Sequence, residues 1–519
     1  MKYQISCYDG CMSKERFLSK SLYLNGLQCK KYLWLKIHNK EKLQKPDASL
    51  KAIFATGNKV GEEACKLFPG GKQITYDKTV HHSERIALTK KYIADGVETI
   101  YEATFEFDGV LVMVDILNRD SNNNFEIYEV KSSTWNSKKN LKDIEKYIKD
   151  VSIQYYVLNG CGYKISKASV TLLNGEYIRG TQENLNDLFI HKDVTKEVKS
   201  LQNKIPENLK SFRATLKVKN TEPNIDIGWH CKKPSLCFGF DYCWKQQRNI
   251  PEYSVFDIFP LTKKSKALDL YQKGIVNIED IPESLEVTKK QKNQINMTIK
   301  NQLVIDKKEI KSFLSSLNYP LYYFDFEAYN QAIPKFIGLK PFQQIPFQYS
   351  LHIRNNLSEK IRHEEFLAQP EEDPRENLAK KLVSDIPKEA SVLVFNASYE
   401  KSVLGKLAEH LPEHKEHLLN ISNNIIDLAE PFKKKYYYHP EMKGKFSIKV
   451  LLPILVPEMS DEYDKLDLIK NGADAMQAFA NLSTFSDPEE INKIRKSLIE
   501  YCKLDTYAMV KIHDKLLTV

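Results

Sequence analysis

"VLVMVDILNRDSNNNFEIYEVKSSTW", residues 110–135, decides the reading of the front half of the chain. Two apolar runs flank an Asn-rich turn, which predicts two antiparallel strands joined by a hairpin. Asp115 ends the first run. Glu129 and Lys131 are two residues apart, so both side chains leave one face of the second strand while Tyr128 and Val130 leave the other. An aspartate, a glutamate and a lysine converging on one point suit metal-assisted phosphodiester hydrolysis. The carboxylates hold a divalent cation that activates water, and the lysine steadies the developing charge. Standing alone, the stretch reads more simply as an exposed hairpin with an ordinary ion pair.

A second acidic strand lies far downstream. "PLYYFDFEAYN", residues 320–330, puts Asp325 and Glu327 on one face and Phe324 and Phe326 on the other. So aromatic a strand belongs in the interior, where two carboxylates repel unless a cation neutralises them. A pair of Mg²⁺ or Mn²⁺ ions is the economical answer. Further on, "VLVFNASYEK" (392–401) is a strand running into a helix that carries Glu400 four residues after Asn396. "LIEYCKLDTYAMVKI" (498–512) is a helix with Tyr501 and Asp505 one turn apart.

Cysteines form a third group. "HCKKPSLCFGFDYCW", residues 230–244, holds Cys231, Cys237 and Cys243, and the chain has nine cysteines in all. Zinc modules bring ligands in pairs two to four residues apart, and no pair here is that close. A thiolate cage for an iron–sulfur cluster accepts wider spacing, with Cys29 as the fourth thiol. Zinc and three unrelated buried thiols stay open as alternatives. Cys7, Cys11, Cys65, Cys161 and Cys502 read as structural or spare.

With 519 residues the chain needs two or three domains, and its net charge of +9 permits a nucleic-acid partner without requiring one. "DGVLVMVDIL" and "KVLLPILVPEM" read as buried strands, and no apolar run approaches membrane-spanning length. "MKYQISCYDGCMSKERF" lacks the layout of a signal peptide, so a cytoplasmic, reducing location is expected. Three regions follow: 1–249, a helical Lys-rich connector at 250–312, and a region at 313–519 in which strands alternate with helices. "TKKQKNQINMTIKNQLVIDKKEIKS" in the connector reads first as a solvated helix face. "EPFKKKYYYHPEMKGKFSIKVLLP" combines lysines with tyrosines. It suits either a single-strand channel with stacking surfaces or a loop whose tyrosines pack locally.

The front region resembles the RecB-like branch of the PD-(D/E)XK nucleases, including iron–sulfur exonucleases, with one cysteine before the core and three after it. The resemblance implies a restriction-endonuclease-like domain clamped by a 4Fe-4S cluster on Cys29, Cys231, Cys237 and Cys243. It also implies a catalytic set of Asp115, Glu129, Lys131 and Gln154, with Leu158 where the family has tyrosine. "GNKVGEE" matches the family's upstream pattern at Gly57 and Glu62. Gly61 stands where a metal-binding histidine is usual, which leaves Glu62 or Glu63 to supply the contact. The rear region resembles the DEDD exonucleases of the RNase H-like fold, in the subgroup with a tyrosine near the last aspartate. That implies Asp325, Glu327, Glu400 and Asp505 as metal ligands, Tyr501 as the group positioning water, and a structural role for Asp427. Together the resemblances imply an α/β multidomain, Mg²⁺- or Mn²⁺-dependent nuclease acting on DNA in preference to RNA. They place it in genome defence or DNA repair, with protein partners from such machinery and no membrane. The alternatives are a front domain that only binds nucleic acid, and a wholly non-catalytic scaffold.

Overall fold

The computed structural model describes residues 18–75, 81–259 and 261–519; the segment read for a leader peptide, with Cys7 and Cys11, lies outside them. The chain is a mixed α/β multidomain protein built on separate sheets.

The front sheet has seven strands: β1 (Leu18–Ser19), β2 (Lys72–Gln73), β3 (Thr99–Phe107), β4 (Val110–Arg119), β5 (Phe125–Trp135), β6 (Ile165–Asn174) and β7 (Phe189–Asp193). Its order is β2-β3-β4-β5-β6-β7, antiparallel from β3 to β5 and parallel between β5 and β6. Strict alternation builds β4. Val110, Val112, Val114 and Ile116 are buried, while Leu111, Met113 and Asp115 lie half-buried on the other face. β1 pairs with the start of β4, and β5 pairs with its end from Ile116 onward. Asp115 therefore sits where β4 and β5 part. Its Oδ2 accepts the Val130 N–H at 2.7 Å and extends the ladder by one side-chain bond. The helix Glu145–Gly160 covers this region and buries Ile148, Val151, Ile153 and Gln154.

The rear half adds β8 (Val304–Ile305), β9 (Leu321–Tyr329), β10 (Ile345–Arg354), β11 (Arg362–Leu367), β12 (Ser391–Val394), β13 (Ile425–Asp427) and β14 (Tyr437–Tyr438). Five of these form a sheet in the order β11-β10-β9-β12-β13. β10 runs antiparallel to β9 and β11, whereas β12 and β13 run parallel to β9. All of β9 except Asp325 is buried, as befits a central strand with apolar side chains on both faces. The helix Pro488–Leu517 lies across β9 and β10 and buries Leu498, Cys502, Met509 and Ile512.

The connector is helical, with helices Lys266–Gln272 and Lys289–Lys300. Only Ile295 of the latter is buried, so its lysines form a solvated face. One reading needs correction. "KVLLPILVPEM" forms the helix Ile448–Leu455, not a strand. Its buried residues, Leu451, Leu452 and Leu455, follow helical spacing, and Pro453 has no N–H for a central ladder. The tyrosine triplet packs locally: Tyr437 and Tyr438 are buried in β14, paired with β8. Among the described residues no helix is long and apolar enough to cross a membrane.

The halves touch through backbone and core. Arg179 N–H donates to Leu339 O at 2.9 Å, and Gly338 N–H donates to Arg179 O at 2.8 Å. Val60, Tyr128 and Tyr177 share an apolar cluster with Ala332 and Phe342.

Candidate functional site: two carboxylate centres and a thiol pocket

β12 pairs with β9 only as far as Leu393 beside Tyr323, so Asp325 and Glu327 project past its carboxyl end. That is where an open α/β sheet leaves a crevice. Asn396, at φ +79°, turns the chain there into the helix Ser398–His410, whose first turn carries Glu400. Asparagine tolerates this left-handed conformation better than most side chains. The helix Pro488–Leu517 supplies Tyr501 and Asp505 from the other side.

Carboxylate oxygens of Asp325, Glu327 and Asp505 all lie within 4.8 Å of one another. Glu327 and Asp505 are 8% exposed and Glu400 is 3% exposed, while Asp325 opens partly to solvent. Burial, then the neighbouring Asp505, holds the Glu327 carboxyl up to about 8. Burial, then Asp505 and Glu327, pushes Asp325 well above the usual carboxylate range. Glu400 stands outside the trio but still raises Asp325, and burial takes its own carboxyl up to about 7. Its Oε2 is buried without a hydrogen-bond partner. Such a group holds its protons or takes up a cation.

Asp505 is braced by two phenols. Tyr463 OH donates to Asp505 Oδ1 at 2.5 Å, and Tyr501 bonds the same carboxylate. Asp427 is occupied elsewhere: it accepts from Asn396 N–H at 3.0 Å, Ala429 N–H at 2.9 Å and Lys433 Nζ at 2.7 Å. It shapes the turn that presents Glu400, in keeping with a structural role.

In the front sheet, Ile116 faces Tyr128 and Tyr101 faces Ile116. One step along both registers aligns Glu102, Asp115 and Glu129 in a row across β3, β4 and β5. Glu102 holds φ +55°, an uncommon conformation for a side chain of its kind. Glu129 is buried, and burial, then Asp115, raises its carboxyl to about 7. Lys131 Nζ donates to Glu129 Oε1 at 2.6 Å and to Asp150 Oδ2 at 2.7 Å. Gln154 Nε2 donates to Glu129 Oε2 at 2.6 Å, and Gln154 Oε1 is buried without a partner. Lys20 completes the cluster, 2.8 Å from Glu129 Oε1 and 3.2 Å from Asp150 Oδ1.

Asp115, Glu129, Lys131 and Gln154 thus come together. Glu62 is exposed on the helix Ala48–Cys65, and Glu63 pairs with Lys66 at 2.7 Å. Leu158 is fully buried in the core. Sequence reasoning missed Glu102, Asp150, Lys20 and Tyr463. Asp150 was the detectable one, since it precedes Gln154 by one helical turn.

Cys29, Cys231, Cys237 and Cys243 line one pocket together with Tyr32, Leu35 and Phe240. Cys29 is extended, at φ −164°, between the helices Lys20–Gln28 and Lys30–His38. Gln28 Nε2 fastens this break to the cysteine loop by donating to His230 O and Ser235 O, each at 2.8 Å. His230 hydrogen-bonds to both Cys231 and Cys29. Burial pushes the Cys237 thiol up to about 12 and the Cys243 thiol up to about 11. Such thiols become thiolates only against a cation. Among the described residues, no three of these sulfurs come within 4.8 Å of one another.

The fold and these centres define a multidomain α/β protein with two buried acidic sites. Residues 322–447 match a family described as domain of unknown function DUF2779. That span includes Asp325, Glu327 and Glu400 and ends before Tyr501 and Asp505. The chain is 28% identical over 292 residues to the uncharacterized protein UU173 of Ureaplasma parvum serovar 3, covering 52% of this chain and 41% of that one. It is 26% identical over 219 residues to the uncharacterized MG366 homolog of Mycoplasma pneumoniae, covering 39% and 33%. The chain spans less than half the length of these curated relatives.

Proposed function

We propose that the chain is a Mg²⁺- or Mn²⁺-dependent nuclease whose rear site hydrolyses phosphodiester bonds, with DNA favoured over RNA. The observation that carries this reading is the buried trio Asp325, Glu327 and Asp505 within 4.8 Å, with the unpartnered Glu400 Oε2 nearby. Buried carboxylates so close together are costly without a cation. The strand order, with one antiparallel neighbour on β9, supports an RNase H-like fold for this half. Asp325, Glu327, Asp505 and Glu400 would hold the ions. When bound, the ions supply an activated water and charge neutralisation at the phosphate. Tyr501 and Tyr463 fix the Asp505 carboxylate from two directions, and Tyr501 faces the trio as the group to orient water.

For the front half, Asp115, Glu129 and Lys131 with Gln154 support a PD-(D/E)XK site. One observation favours the second reading, a front domain that binds nucleic acid without cutting it. Lys20 and Lys131 already neutralise Glu129 and Asp150, so a divalent ion must displace an ammonium to enter. A role in genome defence or DNA repair rests on the family resemblance alone.

For the thiol pocket we favour a 4Fe-4S cluster over zinc, on the family resemblance and the wide spacing of Cys231, Cys237 and Cys243. Zn–S bonds of about 2.3 Å would keep all four sulfurs within roughly 4.6 Å of one another. A cluster there would join residues far apart in the chain and restrict the unfolded state.

The test is hydrolysis of end-labelled single-stranded DNA, duplex DNA and RNA with Mg²⁺ or Mn²⁺. Asp325→Ala should abolish cleavage. Lys131→Ala abolishes a second product pattern if the front site cuts and changes nothing if it only binds. Cleavage unaffected by either substitution refutes the nuclease reading.

A further inference from the structure

We infer that Lys449 contacts a backbone phosphate of the strand held at the rear site. This deepens the nuclease reading and rests on it. Lys449 is the second residue of the helix Ile448–Leu455, in a segment that sequence reasoning assigned to a strand. Its ammonium lies 4.9 Å from the ring centre of Tyr463 and 5.3 Å from that of Tyr501, the two phenols that brace Asp505. It also donates to the carbonyl of Lys470. A lysine stem is normally free to sweep; here two ring faces and a carbonyl hold its head at the rim of the carboxylate trio.

Position and charge then point the same way. Among the described residues no carboxylate lies within 4.0 Å of the Lys449 ammonium, so its charge is held in place but not paired off. Its field reaches Glu327 and Asp505 and eases their burden of like charge. Beside it the helix Gly472–Asn481 begins, with Glu327 facing its first residue. A Cβ on Gly472 would stand 3.6 Å from Glu327 Oε2. The rim therefore offers a fixed cation next to carboxylates that take up divalent ions. A polyanion laid across those ions places a non-bridging phosphate oxygen within reach of this ammonium. An ammonium with two unused protons can donate to it. The contact carries no base information, so it fixes the strand's register and leaves sequence preference alone.

The test is equilibrium binding of a fluorescein-labelled single-stranded oligodeoxynucleotide in Ca²⁺ over a KCl series, with wild type, Lys449→Met and Lys449→Arg. Methionine keeps the stem against both rings and removes the charge. One lost phosphate contact makes the log K against log salt slope shallower by about 0.7 and weakens binding about fivefold near 0.1 M salt. Arginine should restore both quantities. In Mn²⁺ the methionine variant should raise KM more than it lowers kcat, and arginine should restore KM. Weaker binding with an unchanged slope assigns Lys449 to holding the Lys470 loop and overturns the inference. If wild type neither binds nor cleaves the oligonucleotide, or Asp325→Ala cleaves normally, the nuclease reading itself fails and the phosphate contact falls with it.

Discussion

Glu327→Gln should stabilise the metal-free protein at pH 8 and leave it almost unchanged at pH 4. The Glu327 carboxyl is held up to about 8, by burial first and Asp505 second, against 4.5 in the open chain. Between those values the unfolded chain has released its proton and the folded chain still holds it. The folded state therefore binds more protons, and its stability falls as pH rises through the window. At about 1.4 kcal/mol per pH unit, the full gap amounts to roughly 5 kcal/mol, of which about 4 is expressed at pH 8. Asp325 and Asp505 share the same protons, so removing one carboxylate should recover about half of that, roughly 2 kcal/mol. For a domain of this size, that is a rise of about 4–8 °C in the thermal midpoint. Glutamine matches the protonated carboxyl in shape, so the two proteins should melt together at pH 4, below both values. Saturating Mn²⁺ should invert the order at pH 8. Wild type gains about 2.7 kcal/mol at a hundredfold excess over Kd, and the variant, short of one ligand, gains less. Coincident melting curves at both pH values, with and without Mn²⁺, would refute a carboxylate centre strained by its own charge.

Lys20→Ala should lower metal-free stability by about 3 kcal/mol, because it leaves Glu129 and Asp150 short of a cation. The same change should tighten Mn²⁺ binding at the front site, measured calorimetrically in an Asp325→Ala background; weaker binding would mean that Lys20 does not compete with the metal. Protein purified without oxygen should be brown, and Cys237→Ser should bleach it and lower the melting of the front half; a colourless protein with one bound zinc rules out the cluster. Tyr463→Phe removes a 2.5 Å bond to Asp505 and should cost about 1–2 kcal/mol in metal-free thermal melts. An unchanged midpoint would show that Asp505 does not depend on that phenol.

Residues whose partners lie on the same element or across one turn were legible from spacing alone, whereas Cys29 and the set Asp325, Glu327, Glu400 and Asp505 rested on resemblance. Asp115, Glu129 and Lys131 could be placed because a strand repeats every two residues and a hairpin fixes its own register. Tyr501 and Asp505 could be placed because a helix brings positions four apart together. Lys20 could not, because it reaches Glu129 across 109 residues and nothing local marks it. Tyr463 lies in a short-helix segment without a clear period, so its bond to Asp505, 42 residues away, left no trace in the pattern. "KVLLPILVPEM" misled for another reason: a short apolar run fits a buried strand and a buried helix equally well, and Pro453, which lacks the N–H that either ladder uses, does not choose between them.

Gly61 is the most instructive departure. The family it resembles usually has a metal-binding histidine there, and the neighbouring Glu62 is exposed. The centre nevertheless gained acid from two other directions: Glu102 across the sheet beside Asp115, and Asp150 one turn before Gln154. It also gained a second lysine. Two lysines set against four acids offset about half of the pocket's negative charge without any metal. The rear trio, by contrast, has Lys449 at its rim, and among the described residues no ammonium lies within 4.0 Å of it. The two centres therefore differ in kind. Removing divalent ions should unsettle the rear half at neutral pH and leave the front half almost unmoved, which hydrogen exchange on β9 and on β5 can separate. Equal loss of protection on both strands after chelation would mean that the front centre also depends on an ion, and that its lysines stand in for one only when it is absent.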